Sequence, residues 1–399
     1  MSAPARPIAA FAHAPILALM IALLMLQPLS TDLYLASLPG LATIFSASAA
    51  TVQLTLSLFV IGFGAAQLVI GPLSDRYGRK PVLLGGLALY CVASVLCASA
   101  HTIGLLIAAR FLQALGCCSA IVIARAIVRD AYEPDDSVKV IARASTWLSL
   151  APLLGPILGS YLQVTFGWRA AFVALTTLSV CVFAAVLLRL PETNMHKNPR
   201  ATEWHGLVAN YKLVLGSRAF WAFALPGALS YGAIFAFISG SSLVLIRVLQ
   251  VPVEYFGYCF AFGVSGYMSG TIVCRRLLPR LGTPATLRIG TSLSLASGAL
   301  FLLAAVAGVA HWSLVVLAMF LTMGAHGINF PISQSGSVTP FPKQAGTAAG
   351  LMGALAMSVA FGVGSLVGAT FNGSVVPLAA ISCGLGLAIV ASTRIGRAV

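Results

Sequence analysis

Long apolar stretches, separated by short polar or Gly/Pro-containing breaks, constrain the fold of this chain more than any other feature. Of its 399 residues, 59% are hydrophobic and 8% are charged, whereas soluble domains have about 25% charged residues. A transmembrane helix needs about 20 consecutive apolar residues. Continuous runs such as 295–309 lack the alternation of transmembrane β-strands. The sequence therefore predicts an all-α membrane protein.

Twelve spans are predicted from these stretches, six on each side of the longest polar segment, which runs from Pro191 to Arg218. The predicted spans are 15–38, 51–72, 82–100, 103–124, 140–162, 168–189, 220–247, 253–274, 286–308, 312–333, 345–368 and 373–393. The first is interpreted as a retained helix and not as a cleaved signal, because no clear cleavage site follows it. We expect two six-helix bundles, residues 1–190 and 220–399, joined by a cytoplasmic linker at 191–219.

The distribution of basic residues predicts the orientation of the spans. Lys and Arg collect in the cytoplasmic loops of membrane proteins. If the N-terminus is inside, all of the 23 basic residues except Arg110, Arg169 and Arg247 fall on the cytoplasmic side. We therefore expect both termini in the cytoplasm. The net charge of +14 then reflects orientation among membrane lipids, and no nucleic-acid partner is expected.

Cysteine and histidine patterns give no sign of a metal site, a disulfide framework or a cofactor. The eight cysteines and six histidines are scattered, without a C-x-x-C or an H-E-x-x-H pattern. An intramembrane enzyme would need a nucleophile, a base or a metal cluster within the spans, and none is evident. No G-x-x-x-x-G-K-[ST] loop is present. An ion gradient is therefore the expected energy source for any transport.

Two charged residues lie well away from the ends of the predicted spans, Asp32 in the first and Arg110 in the fourth. Such groups are costly at membrane depth and mark a pathway or a proton site. At about 1.5 Å per residue, both lie about 10 Å below the outer boundary and could face one cavity. Two interpretations remain open: a structural ion pair, or a carboxylate that exchanges a proton as its contact with substrate, water or Arg110 changes.

Aromatic and amide side chains in the spans are candidates for a cavity around this pair. Aromatic walls with a few polar groups suit lipophilic substrates. Tyr34 is the first choice because it is near Asp32 in sequence, and for each candidate core packing or lipid contact is the alternative. The further candidates are Phe59, Phe63, Gln113, Tyr231, Phe235 and Phe361.

Residues 71–83, Gly-Pro-Leu-Ser-Asp-Arg-Tyr-Gly-Arg-Lys-Pro-Val-Leu, resemble the major facilitator superfamily signature between helices two and three. The resemblance implies the major facilitator fold, with twelve helices in two bundles. We expect Gly71 to permit the close approach of a helix and Asp75 to pair with a base such as Arg129. The residues expected to form a cytoplasmic latch between the bundles are Gly71, Asp75, Arg76, Gly78, Arg79 and Arg129.

Residues 110–116, Arg-Phe-Leu-Gln-Ala-Leu-Gly, are similar to the superfamily's helix-four pattern, whose buried arginine is linked to proton translocation. Residues 151–159 resemble the helix-five pattern of drug/proton antiporters, with Gly155, Pro156 and Gly159 in place. Within the superfamily, the segments 29–34 and 341–348 resemble the Bcr/CflA group of bicyclomycin and chloramphenicol resistance exporters.

These resemblances imply a monomeric exporter of small lipophilic drug-like compounds in the bacterial inner membrane. The compounds would be phenicol-like, bicyclomycin-like or of several drug classes. Export would be driven by proton antiport, with Asp32 and Arg110 as the proton-coupling residues and Asp32 also in contact with substrate. A proton-coupled symporter or a uniporter for a small metabolite is the alternative on the same fold.

Overall fold

The computed structural model describes residues 13–132, 140, 144, 147, 150–195 and 197–394. These residues form helices and short connections, and no strand occurs among them. The α-helices are α1 (His13–Asp32), α2 (Leu38–Ile44), α3 (Ala49–Tyr77), α4 (Arg79–Ala98), α5 (Ile103–Ala131), α6 (Ala151–Phe166), α7 (Arg169–Arg189), α8 (Trp204–Leu215), α9 (Arg218–Ser242), α10 (Val253–Val306), α11 (Trp312–Val338), α12 (Ala345–Thr370) and α13 (Val376–Ser392).

The helices account for the twelve predicted spans, although the part of span 140–162 before residue 150 lies largely outside the described residues. Nine helical stretches in the described part are long and apolar enough to cross a membrane. One of them, α10, has 54 residues, or about 80 Å at 1.5 Å per residue, which exceeds two membrane thicknesses. It reverses at Gly282, whose φ of 74° is left-handed, and so supplies two spans. The apolar α13 and α6 complete the set.

The helices pack as the two predicted bundles. In the first bundle, α3 and α4 both pack against α5, and α1 packs against α5 and α6. In the second, α9 packs against α11, α12 and α13, while α10 packs against α11 and α13. The bundles meet mainly through two helix pairs, α3 with α12 and α6 with α10. The protein is therefore a multi-pass integral membrane protein with an all-α, two-bundle fold.

Small residues allow the two bundles to approach closely. A Cβ atom on Gly368 would lie 3.0 Å from the Cα atom of Ala50, and one on Gly257 would lie 2.6 Å from the Cα atom of Ile157. Gln53 also donates a hydrogen bond from Nε2 to the Ser239 carbonyl, at 2.5 Å. We name the end with the α3–α4 turn the basic end. These contacts lie towards the other end, which we name the opposite end.

The first span is not the continuous helix that the sequence predicts. The α1 helix ends at Asp32, a turn and a 3-10 helix follow over 33–37, and α2 begins at Leu38. Pro39 has no N–H for the Leu35 carbonyl, which instead accepts from Leu38 N in a 3-10 bond. Irregular backbone at membrane depth is tolerated where protein surrounds it, and the break in this chain is largely buried.

Candidate functional site

Arg110 is fully buried in α5 without a carboxylate partner among the described residues. Its guanidinium lies over the Phe59 and Tyr34 rings, 4.2 and 4.6 Å from their centroids. Nη1 donates to Gln113 Oε1 at 2.5 Å, and Nε donates to the Thr55 carbonyl at 3.3 Å. Aromatic faces and neutral oxygens therefore take the place of an acid. Arg110 and Asp32 make no direct contact in this structure, so the structural ion pair, one of the two interpretations left open, is not formed here.

Three residues predicted to bind substrate enclose Arg110 instead. Tyr34, Phe59 and Gln113 are all 0% exposed. Tyr34 Oη shares a hydrogen bond of 2.8 Å with Thr55 Oγ1, and Gln113 Nε2 donates to Ser94 Oγ. Proximity in sequence misplaces Tyr34 because the break that follows Asp32 turns the two side chains to different surroundings. These residues hold the arginine and do not line an open cavity.

Asp32 is the last residue of α1 and is 4% exposed. Its Oδ1 accepts a hydrogen bond from Thr31 Oγ1 at 2.8 Å, and no described residue donates to Oδ2. The end of a helix carries unpaired carbonyls and partial negative charge, and burial of an unpaired carboxylate is costly. The charged form of this side chain therefore needs water or a ligand that the described residues do not replace.

The helix-five pattern places α6 directly against this carboxyl group. A Cβ atom on Gly155 would lie 3.1 Å from the Asp32 Cβ atom, and one on Gly159 would collide with the Leu33 carbonyl. The Pro156 carbonyl faces Gly257 of the second bundle, 2.7 Å from where a Cβ atom would stand. The small residues of this pattern therefore let α6 pack between the break in the first span and the second bundle.

Tyr231 of α9 is the predicted pocket residue that the structure brings to Asp32. It interacts electrostatically with that carboxyl group, and its hydroxyl interacts with the Gln27 side chain. Phe235 instead packs near Gly364, where the bundles touch, with Cε1 2.7 Å from the position of a Cβ atom. Phe63 is 3% exposed and Phe361 is half-buried, and neither makes a described ring or polar contact.

His326 was not singled out by the sequence analysis, yet it lies beside Tyr231. It is 3% exposed, and its Nδ1 is 3.0 Å from Ser230 Oγ. Its ring packs against three aromatic rings, with centroid distances of 4.8 Å to Phe330, 5.7 Å to Tyr267 and 5.9 Å to Tyr231. The sequence could have indicated His326, because it is an ionisable residue near the middle of span 312–333. No three metal-ligating side chains cluster among the described residues.

The residues predicted to form the latch lie at the basic end. Arg79 donates from Nη1 to Asp75 at 2.5 Å and from Nε to Asp130 at 2.8 Å. Asp75 thus pairs with Arg79, and the prediction of Arg129 as its partner is wrong. Arg76 reaches Thr202 of the linker. Gly71 has open space where a Cβ atom would stand, so the close approach expected there is also wrong.

Glu192, which follows α7, organises this cluster. Its carboxylate accepts the backbone N–H groups of Arg79 and Lys80, at 2.8 and 3.2 Å, and thereby caps the start of α4. Gly78 has a φ of 108°, and a side chain there would collide with this carboxylate. These contacts join the first bundle to the linker. None of the described latch residues bonds to the second bundle in this structure.

Comparison with known proteins places this geometry among transporters. The family model described as Major Facilitator Superfamily matches residues 20–369. A bicyclomycin resistance protein homolog of Haemophilus influenzae is 28% identical over 344 residues, covering 86% of this chain and 85% of that protein. A chloramphenicol resistance protein of Pseudomonas aeruginosa is 30% identical over 349 residues, covering 86% and 81%.

Solved structures share the architecture at low sequence identity. The crystal structure of the nucleoside transporter NupG superposes with a TM-score of 0.73 at 17% identity, covering 95% of this chain and 99% of that one. At this identity the similarity concerns the fold alone. It confirms the arrangement of helices that the resemblance implied.

Proposed function

The chain belongs to the Major Facilitator Superfamily, and on that premise we propose that it exports lipophilic, drug-like compounds in exchange for protons. The resemblance to the bicyclomycin and chloramphenicol resistance group is confirmed by the relatives. We propose that the compounds resemble those that the relatives' names mention. The bacterial inner membrane, with both termini in the cytoplasm, is the proposed location, and a single chain is the proposed working unit.

The carboxyl group of Asp32 carries this proposal. It is the sole carboxylate that the sequence places away from the ends of the predicted spans, and it is buried with Thr31 as its one hydrogen-bond donor among the described residues. Tyr231 brings the second bundle to it. A group at the meeting point of both bundles experiences their relative movement, so its surroundings change when access alternates between the two sides of the membrane.

Exchange follows from competition for this carboxyl group. When Asp32 carries a proton it is neutral, so the bundles can enclose it without burying an unpaired charge. When the site opens to the cytoplasm, substrate and water replace the missing contacts and the proton leaves. The reverse exchange occurs on the other side of the membrane. Proton and substrate therefore occupy the site alternately, which couples the proton gradient to export.

The proposal is tested with Asp32→Asn in proteoliposomes under an imposed pH gradient, with chloramphenicol as the substrate. The amide keeps the size of the side chain and cannot exchange a proton. We expect proton-driven uptake of chloramphenicol into the proteoliposomes to fall to background. Substrate-driven proton release should fall likewise, while the protein still inserts.

Glu254→Gln is the matched control, because this acid is exposed at the start of α10. We expect it to transport at the wild-type rate. Undiminished substrate-driven proton release by Asp32→Asn would contradict the assignment of Asp32. Net movement of substrate in the same direction as protons would instead favour a symporter, and transport unaffected by the gradient would favour a uniporter.

A further inference from the structure

His326 lies near the middle of the membrane and faces the same interior as Asp32. Within α11 it is 14 residues from Trp312 and 12 from Val338, or about 21 and 18 Å along the helix axis. Tyr231 connects the two sites, since it interacts with Asp32 on one side and packs on the imidazole on the other. One ionisable residue from each bundle therefore contributes to one region.

The imidazole is held in place but retains a free polar atom. Ser230 engages Nδ1, and the rings of Tyr267 and Phe330 fix the plane of the side chain. No described residue hydrogen-bonds with Nε2. This atom is also not one of the fully buried, unpartnered polar atoms of the described residues. An ionisable residue at this depth costs free energy and is by default a candidate for a pathway or a site. The ring contacts fix the orientation of the imidazole and leave Nε2 available to a ligand.

The surrounding groups restrict the kind of ligand. The titratable residues that border the imidazole from α9, α10 and α1 are Tyr231, Tyr267 and, through Tyr231, Asp32. Arg110 of the first bundle is enclosed by aromatic rings. Among the described residues no cation contacts the imidazole to bind an anion, and one exchangeable carboxyl group does not suit a dication. Rings and single hydrogen bonds suit an uncharged aromatic compound.

We propose that His326 is the substrate contact of the second bundle, and that Nε2 hydrogen-bonds with an uncharged aromatic substrate whose ring packs on Tyr231, Tyr267 and Phe330. This inference rests on the proposed export function and specifies its substrate class. Asp32 is then the contact of the first bundle, and a bound substrate spans the two bundles. The aromatic side chains supply most of the contact area, while Nε2 supplies direction.

Binding of chloramphenicol to purified protein in nanodiscs tests this inference. His326→Phe keeps an aromatic ring and removes the hydrogen bond, and we expect its affinity to fall about tenfold, as loss of one buried hydrogen bond predicts. His326→Gln can place an amide near the position of Nε2, and we expect affinity within about threefold of wild type.

His101→Phe is the matched control, since His101 is exposed between α4 and α5, and it should bind chloramphenicol like wild type. Wild-type affinity in His326→Phe, or equal losses in the Phe and Gln variants, would overturn the contact while leaving the export function intact. Absence of chloramphenicol binding and export by the wild type would overturn the export function and the substrate class together.

A second measurement needs no variant to fold. Diethylpyrocarbonate acylates an accessible imidazole nitrogen, and bound chloramphenicol should protect His326 by about tenfold in rate at saturating concentration, as read by mass spectrometry. The exposed His101 and His311 should react at an unchanged rate. An unprotected His326 under conditions where chloramphenicol binds would overturn the proposal.

Discussion

At the scale of single residues, burial of a charge decides the character of the first bundle. Arg110 is permanently protonated, and in this structure its charge is accommodated by Phe59, Tyr34 and two neutral oxygens. Its Nη2 has no hydrogen-bond partner among the described residues. The planar guanidinium fits between the rings and still reaches both oxygens, which a compact ammonium group cannot do.

Arg110→Lys should therefore destabilise the protein although it keeps the charge. Lysine loses the stacked geometry and at least one of the two hydrogen bonds, so we expect the free energy of unfolding to fall by about 2 kcal/mol. Chemical denaturation in detergent, followed by tryptophan fluorescence, measures this change. Arg276→Lys, at an exposed position of α10, should leave stability unchanged, and an equal loss in both variants would contradict the cage.

The sequence identifies the charged residues of the spans but not the side chains that pack around them. Asp32 and Arg110 stand out because charge is scarce in the spans. Hydropathy does not reveal which face of an apolar helix meets its neighbour, so Tyr34 and Phe59 were predicted to line a cavity although they surround Arg110. His326 met the same criterion as Asp32, but it was judged only by metal-binding patterns.

At the scale of elements, side chains and backbone groups at helix ends make the main contacts at the basic end. The carboxylate of Glu192 closes the start of α4 across more than a hundred residues of sequence. Gly78 leaves space for it and adopts a left-handed backbone conformation. Segment 71–83 resembles a known signature. That resemblance did not indicate that Glu192, which follows the sixth span, accepts hydrogen bonds from the backbone of this segment.

Glu192→Gln should loosen this helix end. An amide keeps one accepting oxygen but turns N–H groups towards the backbone donor of Lys80, and loss of a charged cap costs about 1–2 kcal/mol. We expect a lower midpoint of thermal unfolding and faster hydrogen exchange over 78–84. Glu203→Gln is the control because the Glu203 side chain is 61% exposed and, among the described residues, its contact is a long one of 3.7 Å with Arg200. Unchanged exchange in Glu192→Gln would exclude the capping role.

Hydropathy predicted that each span exists, but it did not predict where a helix breaks within a span. The twelve spans were predictable because each apolar run has to satisfy its own backbone within lipid. The break after Asp32 was not, since it depends on Pro39 and on packing of α6 against the Leu33 carbonyl. The linker helix α8 was missed as well. It is held to α3 by the Tyr211 hydroxyl, which donates to the Leu68 carbonyl at 2.8 Å.

At the scale of the whole molecule, the bundles are joined by contacts that run from the opposite end to just beyond the middle of α3 and α12. Gly368 and Gly364 permit this approach near the opposite end, and Gly353 permits it next to Gln67. Small residues at these positions let the helices of the two bundles approach closely.

Gly368→Val should wedge the opposite end apart, because its side chain would meet the Ala50 backbone and Gln53. We expect amide exchange in the first two turns of α3 to accelerate about tenfold, as a loss of about 1.4 kcal/mol of closure predicts. Gly362→Val on the same helix meets nothing within 4 Å and is the matched control. Equal exchange in the two variants would show that this interface does not hold the opposite end closed.

The enclosure of Arg110 attaches a permanent positive charge to the first bundle. A charge that crosses a whole membrane at 100 mV does about 2.3 kcal/mol of electrical work. A tilt that carries Arg110 through one tenth of that field therefore involves about 0.2 kcal/mol. Since the contacts of this guanidinium all lie within its own bundle, the charge travels with the bundle. In the proposed exchange cycle, the electrical potential would then add to the pH difference in biasing which end is open.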